Sequence, residues 1–141
     1  MGVKFLKIGV ASSGLGGLDD VVSPQFGRCR VLTIVEVEGT NIRNYRSVQN
    51  PGAISGGGAG IQAAQLLAQE GCEVVIAGNF GPNAFQVLIA NGISPYTSPP
   101  VKVREAVEMF LRGELPEAVL RRGGGGMGKG MGRGRGWSRY P

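Results

Sequence analysis

Three strand-like runs follow one another with no helix between them, and only afterwards does the chain alternate helix and strand. Lys4–Ala11 is a short apolar run stopped by Ser12-Ser13-Gly14, the pattern of a central strand. Arg30–Val37 is rich in β-branched residues, and Glu38-Gly39-Thr40-Asn41 is turn chemistry. Thr40–Val48 then alternates as the second arm of a hairpin. From Gly60 the pattern is helical, with Ile61, Ala64, Leu67 and Ala68 on one face and Gly71 at its end. Glu73–Ala77 reads as a strand buried on both faces. Gly81-Pro82 opens a second helix with Phe85, Leu88 and Ile89 inward, and Asn91-Gly92 closes it. Ile93–Thr97 is a last short strand, and Val101–Leu111 a third helix with Val103, Val107, Phe110 and Leu111 inward. Leu115–Leu120 is expected to add a short turn of helix. Strands in direct succession favour antiparallel pairing, whereas helix–strand alternation favours parallel crossovers. Together they predict one mixed α/β sheet of order 3-2-1-4-5, with the first strand central and helices around it.

That sheet determines which loops meet. The first strand ends at Ser12, and its antiparallel neighbour begins near Arg30, so Ser23–Cys29 belongs to the same edge. The strand Glu73–Ala77 ends there too, at Gly78-Asn79. Ligands of α/β sheets tend to bind beyond the carboxyl ends of parallel strands, which makes this rim the expected site.

Charge divides the chain in two. Residues 1–120 carry nine Lys/Arg against ten Asp/Glu, while residues 121–141 carry six Lys/Arg, no acid and nine of the 26 glycines. The second part cannot offset its ordering entropy by burial and reads as a disordered Gly/Arg-rich basic tail on a near-neutral domain. Arginines interleaved with Trp137 and Tyr140 also suit single-stranded nucleic acid, the competing functional class. No apolar run approaches the roughly 20 residues of a bilayer crossing. Lys4 and Lys7 interrupt the first apolar stretch, against a secretory signal. With two cysteines and no disulfide framework, a reduced cytoplasmic setting is expected.

The chain has no histidine, which removes Ser-His-Asp and Cys-His catalysis and every imidazole metal ligand. Asp19 and Asp20 are the few carboxylates assigned to the rim. They suit a divalent cation or, more simply, a solvated turn. Without further acid or base groups the chain is not expected to be an enzyme. Gly56-Gly57-Gly58-Ala59-Gly60 leads into a helix whose unpaired N–H groups can hold an anion, or it is a loop needing unusual backbone angles. Cys29 and Cys72 fall at opposite edges of the sheet, about 17 Å apart by strand length, too far for a disulfide. Cys72 reads as a small buried hydrophobe. Cys29 lies between Arg28 and Arg30, cations that would lower its thiol pKa if they point the same way.

Several segments recur together, in order and spacing, in one known family. They are Val10-Ala11-Ser12-Ser13, Val22-Ser23-Pro24-Gln25-Phe26-Gly27-Arg28-Cys29, Asn50-Pro51, Gly56–Gly60, and Ala77-Gly78-Asn79-Phe80-Gly81-Pro82-Asn83-Ala84. Over about residues 4–115 the chain resembles the dinitrogenase iron–molybdenum cofactor biosynthesis family, the NifX-like proteins and their stand-alone relatives. The resemblance implies a ribonuclease H-like fold without nuclease activity. It also implies a carrier of an anionic metal–sulfur cluster (Fe–S, Mo–Fe–S or Mo–Cu–S) that works with assembly or acceptor proteins. Where the family often has a histidine proposed as a cofactor ligand, this chain has Gln25, which implies weaker or more labile binding. The cluster is expected between Ser12, Ser13, Gln25, Phe26, Gly27, Arg28, Cys29, Gly56, Gly57, Gly58, Gly60, Asn79 and Asn83. Cys29 is the one expected metal ligand, a soft thiol suited to such a cluster.

Overall fold

The computed structural model describes residues 5–51 and 59–119. Gly56, Gly57, Gly58 and the tail assigned to 121–141 lie outside the described residues. Along the chain run β1 (Phe5–Ser12), β2 (Val31–Glu38), β3 (Asn41–Gln49), α1 (Ala59–Gln69), β4 (Val74–Ala77), α2 (Pro82–Ala90), β5 (Ser94–Thr97) and α3 (Val103–Leu111). The sheet has the order β3-β2-β1-β4-β5. β1–β2 and β2–β3 are antiparallel, and β1–β4 and β4–β5 are parallel. Hairpin and crossover patterns in the sequence therefore placed all five strands.

Side chains alternate across the sheet with period two. Ala11, Leu32, Ile34, Val75 and Ala77 pack towards α1 and α2 on one face. Ile8, Val10, Val35, Val37 and Ile76 pack towards α3 on the other. Two details differ from the sequence reading. Ile89 is 50% exposed, because α2 buries the row of Ala84 and Leu88 instead. Residues 115–118 form no helix. They lie along β5, with Glu117 bridging Tyr96, Thr97 N donating to the Pro116 carbonyl and Ala118 N to that of Pro95. Leu115 is buried beneath them.

Candidate functional site

Parallel pairing of Ile8–Val10 with Val74–Ile76 brings the ends of β1 and β4 to one edge. Three backbone bonds stitch the neighbouring loops onto that edge. Ser23 N donates to Ala11 O at 2.7 Å, Gly78 N to Ser23 O at 2.9 Å, and Phe26 N to Asn79 O at 3.0 Å. Gly78 has to be glycine, since a Cβ there would come within 2.8 Å of the Pro24 Cα and 2.9 Å of its carbonyl oxygen. The aromatic pair Phe26 and Phe80, with ring centroids 5.4 Å apart, packs the two loops together. The segments 23–29 and 78–83 thus form one continuous rim on the α1/α2 side, with Gln25, Arg28, Asn79 and Asn83 exposed along it.

Both helices on this face begin at the rim. α1 precedes β4 and α2 follows it, so connectivity points both N-termini to the carboxyl end of the sheet. They begin side by side, since a Cβ on Gly60 would lie 2.8 Å from that of Ala84. Gly60 is therefore explained by helix–helix packing and needs no ligand. α2 has Gly81 at its cap with no side-chain bond to the amides, and neither helix has an acid in its first turn. Residues 23–29, 50–69 and 78–92 contain Arg28 and not one aspartate or glutamate. Two partial positive helix ends lie at a rim whose segments carry one exposed arginine and no compensating acid. α3 differs: its first amides are spent on loop carbonyls, with Val103 N donating to Asp20 O at 2.8 Å and Arg104 N to Leu18 O at 2.9 Å.

Several residues expected at the rim are used elsewhere. Ser12 is fully buried with its hydroxyl 2.7 Å from that of Thr33. Thr33 pairs with Val10, on the α3 side of the sheet. Its hydroxyl is thus an internal tie and is not presented at the rim. Ser13 is exposed, and its N–H is bonded to Val21 O. Of the two readings open for the aspartate pair, the turn fits the structure better. The Asp20 carboxylate accepts from the amides of Gly14, Gly16 and Val21, which satisfies a glycine loop rather than a cation. Asp19 reaches Arg104 at 3.8 Å on the α3 side.

Cys29 is 5% exposed. Burial pushes its thiol above the ordinary value, only partly opposed by backbone contacts at Gly27 and Ser12 and by the Asn50 amide. The lowering expected from Arg28 and Arg30 does not occur, because Arg28 and Arg30 are both exposed while the thiol turns inward. Both cysteines are free thiols. Asn50, read from sequence only as turn chemistry, is 3% exposed and ties the Gly27 and Cys29 carbonyls. An asparagine in the recurring Asn50-Pro51 pair was the one signal that could have marked it.

The sequence model of the family described as dinitrogenase iron–molybdenum cofactor matches residues 5–113. The chain belongs to this family. An uncharacterised protein of Methanocaldococcus jannaschii is 33% identical over 112 residues, 79% of this chain and 95% of that protein. The apo form of the orange protein from Desulfovibrio gigas superposes with a TM-score of 0.70 at 39% identity, covering 79% of this chain and 92% of that one. The NMR structure of a candidate NifB protein from Thermotoga gives a TM-score of 0.68 at 32% identity, covering 84% and 99%. These two solved structures thus share this fold over nearly their whole length.

Proposed function

We propose that this protein binds and carries an anionic metal–sulfur cluster at the α1/α2 rim, as a non-catalytic participant in cluster assembly or delivery. The observation that carries this reading is the rim where the N-termini of α1 and α2 lie side by side, with no acid in the segments that build it and Arg28 exposed on one of them. Metal–sulfide clusters are anionic, and such a rim holds an anion through N–H donors and charge. Among the described residues no group of three or more His, Cys, Asp or Glu could hold a metal ion. The cargo is therefore held chiefly by non-covalent contacts, with Gln25 at the exposed turn in place of an imidazole and Cys29 as the single soft donor. A ribonuclease H-like label for the scaffold, implied by the resemblance, belongs to this proposal; the sheet order supports it.

Anaerobic reconstitution tests it. Iron and sulfide, or molybdate, copper and sulfide, are added to the full chain while absorbance and backbone NMR shifts are followed. We expect shifts concentrated at Gly27, Arg28, Gly78, Asn79 and Asn83; unchanged spectra overturn the reading. Because Cys29 is buried and its thiol held protonated, Arg28→Glu is expected to weaken uptake by at least about tenfold. Cys29→Ser is expected to cost less. The reverse order would make thiolate ligation the main contact.

A further inference from the structure

Asn50 directly follows β3 at the rim, and both its backbone N–H and its side-chain amide bond to the segment that bears Arg28. Its backbone N–H donates to Arg30 O at 2.9 Å. Its side-chain Nδ2 donates to Gly27 O at 3.0 Å and Cys29 O at 2.8 Å, and lies 3.8 Å from Cys29 Sγ. The two gripped carbonyls flank Arg28, whose side chain is exposed, while the thiol after it is covered. Gly27 turns the chain into this grip at φ 100°.

Resting on the carrier reading, we propose that Asn50 is the positioning residue of the rim. Its amide latches Gly27–Cys29, fixing Arg28 for the cargo and keeping the Cys29 thiol covered in the cargo-free protein. The chemistry is specific to an amide donor. Both N–H groups of Nδ2 serve carbonyls of one short segment, and an aspartate of the same shape would set carboxylate oxygens against those carbonyls. A buried carbonyl that loses its donor seeks water, so the segment moves outward.

The test uses the full chain without cargo, in Asn50→Asp and Asn50→Ala forms. Alkylation by iodoacetamide is followed by peptide mass spectrometry, with Cys72 at the far end of the sheet as internal reference. Alkylation of Cys29 is expected to rise by about tenfold or more relative to Cys72. Rates for both thiols that rise together, or stay together at the wild-type value, overturn the latch. If Asn50→Asp does not fold, Asn50→Ser keeps one hydroxyl donor and is expected to fall between; a wild-type Cys29 rate there also overturns it. Uptake of molybdate, copper and sulfide is then compared. If the wild-type chain takes up nothing, the carrier reading fails while the alkylation result still decides the role of Asn50.

Discussion

The two thiols show how local packing sets residue chemistry. Cys72 is 6% exposed, and burial is the largest influence on it, pushing its pKa from the ordinary 9.0 to about 12. The nearby charges of Lys7 and Arg46 lower it and that of Glu70 raises it, all to a smaller degree. The unfolded chain therefore ionises first. The stability contributed by the neutral thiol is complete below pH 9 and is lost as pH rises towards 12. Its full value is on the order of 4 kcal/mol. Denaturant midpoints measured from pH 8 to 11 should fall more steeply for the wild type than for Cys72→Ala. Parallel profiles would mean that Cys72 ionises freely in the folded state. Cys29 shares the direction but sits under a loop, so the Arg28 and Asn50 variants above, rather than pH, are the means of separating its roles.

Elements meet here through their smallest residues. Gly60 against Ala84 brings the start of α1 onto the start of α2, and that contact holds the two N-terminal dipoles beside each other. Gly60→Ala gains up to about 1 kcal/mol of helix propensity but places a methyl group where none fits, costing about 1–3 kcal/mol. We expect a net loss of stability, with Gly60→Ala partly rescued in combination with Ala84→Gly. A double-mutant cycle by urea denaturation measures it, and additive effects would contradict the close approach. The free edge of the sheet is managed locally. β3 carries an irregularity opposite Glu36/Val37, and Asn44 turns its side chain onto the Tyr45 N–H at 2.9 Å. Both features discourage strand addition.

At the scale of the molecule, the opposite edge is sealed by residues 115–118, which bury Leu115 and Ala118 and bond along β5. Ending the chain at Val119 should therefore leave the melting temperature nearly unchanged and cluster uptake intact. Ending it at Gly113 should lower the melting temperature by on the order of 10 °C, from about 2–3 kcal/mol of lost burial. Thermal unfolding followed by circular dichroism checks both. Loss of uptake on removing only 120–141 would assign the basic tail a part in binding. The sheet was legible in the sequence because strand order follows from local patterning: a hairpin can only pair back, and helical crossovers of this length return parallel. The rim was legible for the same reason, since strand direction decides which loops share an edge. Which groups face it was not. Ser12 and Cys29 are polar or reactive in any sequence, yet alternation turned the hydroxyl to Thr33 on the far side, and burial covered the thiol. Asp20 suited a cation or a solvated turn, and only the fold shows the loop amides of Gly14 and Gly16 gathered on its carboxylate. Local pattern determined this protein's five strands, three helices and their order, though not the strand-like course of residues 115–118, because backbone propensity and hydrophobic period act over a few residues. Side-chain direction, solvent access and the partners of each polar group depend on residues far away in the chain, and those only the tertiary structure decided.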